Sequence, residues 1–496
     1  MKKIKFSVLS LFVATMVTFV ACDPTEVVTP SEPVVGEIGN GDQEFSITSD
    51  TTFVKGTYTL KGWVYITDGV TVTIEPGTII KGDKETQAAL IVEPGGKLIA
   101  EGTATEPIVF TSNQPIGQRK PGDWGGLVIC GKAKNNKTQM QIEGGPRTTH
   151  GGTDDADNSG IYRYIRVEFA GYPFQTDQEI NAVTLGSVGS GTTIDHIQVS
   201  YSNDDSFEWF GGCVNAKYLV AYHGWDDEFD TDNGYTGNLQ YLLSIKHPRI
   251  ADTSYSSGFE SDNDAQGSTN TPMTAPTFAN VTFVGPISQG VNEMNMFTWT
   301  SEKSNTNNST FITGGDYNPQ NGSKLGIFAA AMHIRRNSHM QCYNSVAVGF
   351  PVGLILDNDK GDARSYVLTN QTISNNFFGG HGILGTDVYK QYVDSLSENG
   401  KMPFSATPSY STVYLKANNA YSEITTVASL LSQPNSLLAN ANYGPKTGSP
   451  ILNVSPKTLS NSFFDVVDYI GAFKSDAAAD NWTTGWCNFD PQNTEY

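Results

Sequence analysis

Acidic residues recur in four short segments near the middle of the 496-residue chain. These segments cover residues 177–181, 204–208, 226–230 and 256–260. In their shared register, DDxF[ED], the apolar position is held by Ile180, Phe207, Phe229 and Phe259. Because side chains alternate along a strand, an inward apolar column sends the following residues outward. The predicted outward column is Asn181, Glu208, Asp230 and Glu260, with Asp232, Asp262 and Asp264 on the same parity.

Outward carboxylates on neighbouring coils would lie about 5 Å apart and would repel one another unless something compensates them. Ca²⁺ could bridge the oxygens, or one carboxyl could stay protonated as a general acid. Sugar hydroxyls could also bind across the acids while Trp209 or Trp225 stacks on a sugar ring. The structural alternative is that Asp and Asn side chains cap turns between coils. The candidate ligand-binding residues are Asp204, Asp205, Glu208, Trp209, Trp225, Asp226, Asp227, Asp230, Asp232, Glu260 and Asp262.

If the protein is an enzyme, the candidate catalytic residues are Glu208, Asp230 and Glu260. Glu208 and Asp230, on adjacent coils, would have the short carboxyl spacing of retaining glycosidases. Glu208 and Glu260, on alternate coils, would have the longer spacing of inverting enzymes. Lys246, His247 and Arg249 precede the last acidic segment. For these basic residues, a solvated surface patch is favoured over a binding site for an anionic sugar.

Two acidic pairs could bind Ca²⁺. Asp155 and Asp157 open a loop that begins like an EF-hand, but Arg166 occupies the twelfth position, where that motif needs a bidentate Glu. Asp230 and Asp232 form the second pair, where a glycine comes one place too early for the motif. The sequence has no HExxH, CxxC or complete Walker pattern, so no other cofactor is expected.

The acidic segments follow predicted strands that recur at the spacing of solenoid coils. These strands are Tyr164–Phe169, His196–Tyr201, Tyr218–His223 and Tyr241–Lys246, and they start 32, 22 and 23 residues apart. Nearer the N-terminus, Ile74–Gly77 (IEPG) recurs as Val92–Gly95 (VEPG), with Pro-Gly supplying tight corners. Repeats of this kind indicate stacked coils. We therefore predict an all-β chain that forms a right-handed parallel β-helix.

The predicted β-helix covers residues 45–380, followed by an irregular, partly helical part over 381–496 that packs on the β-helix or caps it. The clearest helical pattern is Asp387–Ser397. Cys130, Cys213, Cys342 and Cys487 have no disulfide-like spacing, which favours burial over pairing.

The N-terminus has the pattern of a lipoprotein signal. A basic start and an apolar stretch run to Ala21, followed by Cys22 in a lipobox-like context, so we predict cleavage after residue 21 and lipid on Cys22. Residues 22–44 are rich in Pro, Glu and Thr, which predicts a flexible, lipid-anchored tether. The expected location is the outer membrane, with exposure at the cell surface. The net charge of −20 disfavours nucleic acid as a partner.

Four stretches carry a resemblance to a known family: PGDWGGLVICGKA (121–133), GGTDDADNSG (151–160), VGSGTTIDHIQVSYSNDDSFEWFGG (188–212) and WTTGWCNFDPQ (482–492). Together they resemble uncharacterised Bacteroidetes outer-membrane lipoproteins with a predicted right-handed parallel β-helix. The resemblance implies the fold, the phylum and the envelope location. It implies no reaction and assigns no catalytic residue.

Three functions agree with these features. The first is a surface lipoprotein that binds glycan or another nutrient through an acidic, aromatic face, a role that would suit the accessory of a TonB-dependent importer. The second is a β-helix glycoside hydrolase or polysaccharide lyase, and the third is a structural subunit of an outer-membrane complex. The sequence favours the first and a non-enzymatic role.

Overall fold

The computed structural model describes residues 34–175, 178–247, 250–252, 255–286, 328–387, 409–422 and 427–496. The predicted signal peptide, Cys22 and all but the first residue of the predicted helix Asp387–Ser397 lie outside these residues. Among the described residues, no helix is long and apolar enough to cross a membrane.

Two long parallel sheets contain most of the strands that the structure describes, and the counts below refer to those strands. Sheet A has 17 strands: β1 (Val34–Gly39), β3 (Thr51–Phe53), β4 (Gly56–Lys61), β6 (Thr71–Ile74), β7 (Ile79–Gly82), β9 (Lys97–Glu101), β10 (Ile108–Ser112), β14 (Gly160–Glu168), β18 (Thr193–Ser200), β20 (Ala216–Tyr222), β22 (Asn238–Ile245), β24 (Thr277–Val284), β26 (Gln341–Tyr343), β27 (Val346–Val348), β29 (Ile373–Ser374), β30 (Phe377–Gly379) and β32 (Ala420–Ser422). Sheet B has 11 strands: β2 (Phe45–Ile47), β5 (Trp63–Ile66), β8 (Ala89–Val92), β11 (Gly126–Cys130), β17 (Val183–Val188), β19 (Phe207–Gly212), β21 (Phe229–Asp232), β23 (Phe259–Ser261), β25 (Ala330–Ile334), β28 (Val352–Leu356) and β31 (Ile383–Thr386).

The chain alternates between the two sheets, and equivalent strands of successive coils pair in parallel. In sheet B, for example, β17 pairs with β19, β19 with β21, and β21 with β23. Apolar side chains of both sheets enclose one continuous core. This arrangement confirms the predicted parallel β-helix.

Three two-stranded antiparallel sheets interrupt the coils. They are formed by β12 (Met140–Gln141) with β13 (Thr149–His150), β15 (Pro173–Gln175) with β16 (Gln178–Glu179), and β33 (Leu431–Gln433) with β34 (Asn442–Pro445). The β12–β13 hairpin belongs to an insertion between β11 and β14. Its Ile142 packs on the outer side of sheet B with Ile180 and Phe210. The first coils of sheet B are therefore covered on both faces, which explains why strands such as β8 and β11 are uniformly apolar.

The predicted strands of the central coils are confirmed as β14, β18, β20 and β22, but their first residues are not where the strands begin. Tyr164, His196, Tyr218 and Tyr241 lie within these strands, each with a positive φ of 49–62°. Their backbone bends sheet A at the same place in each coil. The rings stack with centroid distances of 4.4, 4.3 and 4.9 Å along the series. Stacking between coils offsets part of the cost of the left-handed backbone.

The repeat of Ile74–Gly77 at Val92–Gly95 does not mark two equivalent coil positions. Ile74 ends a strand of sheet A and pairs with Ala100, whereas Val92 ends a strand of sheet B and pairs with Ile66. The two Pro-Gly corners are similar because both follow a β-branched strand end, but they are not stacked on each other.

The prediction of a flexible tether over residues 22–44 is wrong for the last part of this range. Val34–Gly39 forms β1 and pairs in register with β4, so the described β-helix already starts at residue 34 rather than 45. Pairing with β4 satisfies backbone groups and buries Ile38, which outweighs the polar composition of the flanking residues. The rest of the predicted tether, residues 22–33, lies outside the described residues.

The far end of the β-helix is covered by helices, and sheet strands continue beyond residue 380. Helix α1 spans Ala363–Asn370 and α2 spans Tyr410–Asn418. Ser409 caps α2 by accepting a hydrogen bond from the Thr412 N–H. Tyr414 and Leu415 of α2 are part of the continuous core. Helix α2 therefore covers the last coil, which includes β31.

The C-terminal segment, residues 427–496, packs along the outside of sheet A instead of capping an end. It contains short 3₁₀ turns at Val427–Ser429, Pro450–Asn453, Ala478–Asp480 and Pro491–Asn493. Amide side chains of three separate coils bind its backbone: Gln198 pairs with Asn488, Gln240 with Asp465, and Asn344 with Lys457. Each of these amides donates to a carbonyl and accepts from the N–H of the same residue, as a strand would.

The four described cysteines are unpaired. Cys130 and Cys342 are buried, as expected, and Cys213 and Cys487 are half-buried.

Removing Trp486 should destabilise the protein, because its buried ring packs edge-on against Tyr164 and His196 at 5.9 and 5.4 Å. We expect Trp486→Ala to lower the free energy of unfolding by about 3–5 kcal/mol. Val466→Ala in the same segment, at a side chain 77% exposed, should change it by less than about 0.5 kcal/mol. Urea denaturation measures both. If Trp486→Ala lowered the free energy of unfolding as little as Val466→Ala, packing of the C-terminal segment through this ring would not stabilise the coils.

Candidate functional site

Phe207, Phe229 and Phe259 occupy one inward column of sheet B, as predicted. They are in register across β19, β21 and β23, and all three are fully buried. The Phe207 and Phe229 rings stack at 5.6 Å. The next residues on these strands are therefore in register on the outer side: Glu208 beside Asp230, and Asp230 beside Glu260. We call these three side chains, with Asp205, the acidic face. The expectation that the column faces open solvent is wrong for Glu208 and Glu260, which are only 7% and 8% exposed.

The first segment of the predicted alignment is displaced by three residues. Val183, not Ile180, is in register with Phe207, and Thr184, not Asn181, is in register with Glu208. Ile180 packs in the outer apolar cluster with Phe210. The loop before β17 is longer than a fixed period allows, so the shared pattern misaligned this coil. Asn181 still reaches the site, because its side-chain amide donates to Glu208.

Asp205 and Asp227 act as turn caps. The Asn181 side-chain Oδ1 accepts from the Asp205 N–H at 3.2 Å, and the Asp205 carboxylate accepts from the Asp227 N–H at 2.8 Å. The Asp227 carboxylate accepts from the Ser257 N–H in the same way. These bonds join the same turn on successive coils. The structural alternative therefore holds for Asp205 and Asp227, although Asp205 also contributes to the acidic face.

Carboxylate oxygens converge at the acidic face. One oxygen from each of Asp205, Glu208 and Asp230 lies within 4.8 Å of the others, and Asp204, Asp205 and Asp226 form a second such group. Burial, reinforced by neighbouring carboxylates, raises the pKa of Asp205, Glu208 and Asp230 well above their ordinary values. No described Lys or Arg forms an ion pair with these three residues. An all-oxygen donor set of this kind fits a hard cation such as Ca²⁺.

Basic residues compensate the acids at the other end of the column. His333 follows Glu260 in register, with its Nδ1 at 3.0 Å from the Glu260 carboxylate. Arg335 pairs with Glu260 and also with Asp262, at 2.9 Å, and Arg336 pairs with Asp262 at 2.7 Å. Burial acts to raise the pKa of Glu260, but the charges of Arg335 and His333 outweigh burial and hold this pKa at about 2.

Sequence reasoning missed His333 and Arg335. The signal that could have found them is the alternation in β25, where Met332 and Ile334 continue the inward columns and His333 faces outward between them. The 73-residue interval between Phe259 and Met332 hid this coil from a search for a regular period.

The aromatic part of the predicted face is wrong. Trp209 and Trp225 are 0% and 1% exposed, and Tyr222 and Tyr235 are also buried. Trp209 lies two residues after Phe207, so the same alternation points it inward, where it stacks on Tyr235 at 5.5 Å. Neither tryptophan can stack on a sugar ring at the surface.

The basic patch predicted near residue 246 is also wrong. The Lys246 and Glu228 side chains are fully buried and face each other, with Lys246 Nζ 3.5 Å from a Glu228 oxygen. Ser206 donates to the other Glu228 oxygen at 2.6 Å. His247 is buried as well, and Arg249 lies outside the described residues. Lys246 therefore compensates Glu228 and holds the turn before β21, where it donates to the carbonyls of Gly224 and Asp226.

Neither predicted Ca²⁺ pair is assembled as proposed. Asp155 pairs with Lys134 at 2.5 Å, and Asp157 accepts from the Ser159 hydroxyl at 3.3 Å. Asp230 groups with Asp205 and Glu208 instead of Asp232. Asp232 lies two residues further along the strand than Asp230, a displacement of about 7 Å. It lies beside Asp262, and burial together with the charge of Asp262 raises the pKa of Asp232.

A family model described as a pectate-lyase-like β-helix domain matches residues 45–297, just over half of the chain. No curated protein and no solved structure gives a significant match. The matched range includes Glu208, Asp230 and Glu260 but ends before His333 and Arg335.

Asp232 should make the protein less stable as the pH rises. Burial and Asp262 raise its folded-state pKa to about 8, so the folded state keeps a proton that the unfolded state releases near its ordinary pKa of about 3.9. This group's contribution to stability is therefore complete below that value and is lost as the pH rises through about 8. We expect Asp232→Asn to reduce the fall in Tm between pH 5 and pH 9, measured with EDTA present.

Glu85→Gln, which removes an exposed carboxylate elsewhere, should leave the slope of Tm against pH as in the wild type. An equally steep slope in Asp232→Asn would show that Asp232 ionises normally in the folded state.

Proposed function

The chain belongs to the family of pectate-lyase-like β-helix domains, and from this premise we propose that it is a lipid-anchored protein of the cell envelope that binds glycan at its acidic face. Family membership supports the fold and leaves the ligand open, because one fold hosts many functions. The observation that carries the proposal is the convergence of Asp205, Glu208 and Asp230, none of which forms an ion pair with a Lys or Arg that the structure describes. Such a group is costly to maintain unless a ligand uses it.

The chemistry of the acidic face suits hydroxyl groups and cations. Glu208 and Asp230 have raised pKa values, so each can carry a proton and donate to a sugar oxygen. Glu260, which stays ionised beside Arg335, can accept from a sugar hydroxyl. Ca²⁺, if bound, would be held by Asp205, Glu208 and Asp230 and would neutralise their mutual repulsion. Because the tryptophans are buried, binding relies on these polar contacts and not on ring stacking.

A second candidate function is glycoside hydrolysis at the same face. The specific observation is the separation of protonation states: the surroundings keep Glu260 ionised and favour the protonated forms of Glu208 and Asp230. Pairs of carboxyls with opposed pKa shifts are the pattern of an acid and a base or nucleophile. In this role Asp230 or Glu208 would protonate the leaving oxygen, and Glu260 would be the nucleophile or base.

The envelope location rests on the sequence of the N-terminus. The basic start, apolar stretch and Cys22 support lipidation, and the resemblance to Bacteroidetes outer-membrane lipoproteins supports the outer membrane and the cell surface. A glycan-binding lipoprotein in that position suits the accessory of a TonB-dependent importer.

Glycan binding should depend on Glu208 and Asp230. We expect the mature wild-type chain to bind on a glycan array, with Glu208→Gln/Asp230→Asn weakening binding roughly tenfold, since each hydrogen bond from a protonated carboxyl contributes about 0.5–1.5 kcal/mol. Adding EDTA should weaken binding by the wild type if Ca²⁺ participates. Glu85→Gln is the matched control and should bind normally.

The same samples separate the two functions. Binding without release of reducing ends supports the first, whereas release that is lost in Glu260→Gln supports hydrolysis. An array without wild-type binding, or binding that survives the double substitution, would refute the role of the acidic face.

Lipidation predicts membrane attachment through Cys22. The wild type should sediment with outer membranes, and Cys22→Ser should be found in the soluble fraction of the envelope or the medium. Removal of the wild type from intact cells by an external protease would support surface exposure. A Cys22→Ser variant that remains with the membrane would contradict the lipid anchor.

A further inference from the structure

His333 is a buried histidine that lies between acids of two neighbouring coils. On β25 it is in register with Glu260 of the preceding coil, and Asp357 directly follows β28 of the next coil. Its Nδ1 lies 3.0 Å from a Glu260 oxygen, and its Nε2 lies 3.7 Å from an Asp357 oxygen. The side chains of His333 and Asp357 are 1% and 3% exposed. One imidazole ring therefore joins Glu260 of the acidic face to an acid two coils further along.

The two acids determine which form of the ring fits between them. A neutral imidazole has one N–H donor and one bare nitrogen, whereas the imidazolium cation donates from both nitrogens. With a carboxylate at each nitrogen, only the cation places a donor opposite both acids. Burial acts to lower the pKa of His333, but hydrogen bonding to Asp357 and Glu260 outweighs burial and raises this pKa. The bridge between the two acids therefore needs a charged His333.

The other charges around the bridge do not replace that of His333. Charged groups face this ring from each side: Glu260 from β23, Asp357 from the end of β28, and Arg335 from its own strand. Arg335 pairs with Glu260, but it also pairs with Asp262 at 2.9 Å. No Lys or Arg that the structure describes forms an ion pair with Asp357. Without the charge on His333, Glu260 would keep one shared cation and Asp357 would keep none within ion-pair distance.

His381 shows what burial does to a histidine whose partners are backbone groups. It is 3% exposed, and its two nitrogens lie 3.2 and 3.0 Å from the carbonyl oxygens of Phe350 and Ala347. Burial lowers its pKa to about 4. Two similarly buried histidines of one chain are therefore expected to differ in charge at neutral pH, and the carboxylates beside His333 account for the difference.

We infer that His333 is a positioning residue of the acidic face, which keeps Glu260 ionised and in place through its own charge. The inference rests on the proposed function, in which Glu260 accepts from the ligand or acts as the base or nucleophile. Because the folded-state pKa of His333 is raised, the bridge is complete below the ordinary pKa of about 6.5 and is lost as the pH rises through the raised value. Its loss removes one of the two cations at Glu260, so alkaline pH regulates the acidic face through a residue outside it.

The charge on His333 can be measured in the full mature chain without any ligand. ¹⁵N NMR of a histidine-labelled sample reports the proton on each ring nitrogen of all seven histidines, and the signal lost in His333→Asn identifies His333. We expect both His333 nitrogens to carry a proton at pH 7, with His381 neutral in the same spectrum. In Asp357→Asn, His333 should lose its second proton at a pH lower by about one unit. A neutral His333 at pH 6, or wild-type titration in Asp357→Asn, would overturn the inference.

Two substitutions separate the contact with Glu260 from the contact with Asp357. The amide of His333→Asn lies near the position of Nδ1 and can still donate to Glu260, whereas the longer side chain of His333→Gln places its amide nearer the position of Nε2. ¹³C NMR of labelled glutamate carboxyls, with Glu260→Gln for identification, measures the ionisation of Glu260. We expect the pKa of Glu260 to rise by about one unit or more in His333→Gln and by less in His333→Asn. On the glycan array at pH 7, His333→Gln should weaken binding roughly tenfold, and His333→Asn should retain more of it.

An unchanged pKa of Glu260 in a folded His333→Gln variant would refute the positioning role, and so would equal loss of binding in the two variants. An array without wild-type binding would instead remove the proposed function, while the two NMR measurements would still decide the charge and the role of His333. Because Asp357→Asn leaves the ring in place, its spectrum tests the bridge even where a substitution of His333 prevents folding.

Discussion

The register of parallel backbone pairing is the constraint on which the rest of this structure depends. Once β19, β21 and β23 pair in register, each residue of one coil has a fixed neighbour on the next. Three phenylalanines then share the core, and the residues that follow them must share the outer side of sheet B. The acidic face is thus a consequence of core packing. A shift by one residue would turn its carboxylates into the core, so the aromatic column protects the site geometry as well as the fold.

Compensation of charge divides the outer column of sheet B into two parts. At Glu260, cations from the next coil lie in direct contact, and the acid is ionised and held in place. At Asp205, Glu208 and Asp230, neighbouring acids and burial oppose ionisation. Carboxyl groups on adjacent coils therefore differ in protonation, because the side chains on the neighbouring coil are cationic beside Glu260 and acidic beside Glu208 and Asp230. The proposed ligand binding or acid–base chemistry would depend on this difference in protonation along one column.

The sequence was a good guide where coils follow each other closely and a poor one where loops intervene. The 22-residue step from Phe207 to Phe229 allowed the inward and outward columns to be predicted together. The longer loop before β17 displaced Ile180 and Asn181, and the 73-residue interval before Met332 concealed His333 and Arg335. Lys246 shows a different limit of sequence reasoning. The basic residues around it indicated a surface position, whereas the acid that pairs with it, Glu228, lies in the preceding coil. Trp209 was misplaced for a simpler reason: the alternation that put Glu208 outside also required Trp209 inside.

The path of the C-terminal segment ties together residues that are made at very different times during synthesis. Lys81 donates to the carbonyl of Tyr496 at 2.7 Å, across a sequence separation of 415 residues, and Arg119 donates to the carbonyls of Pro491 and Thr494. The buried Glu168 accepts from the Tyr496 hydroxyl at 2.6 Å. Coils can stack one after another as the chain is made, but these early side chains must wait for residues near 490 before their partners arrive. Folding would therefore pass through a stage in which the coils are formed while polar groups along one side remain hydrated, and docking of the C-terminal segment is a late, long-range step.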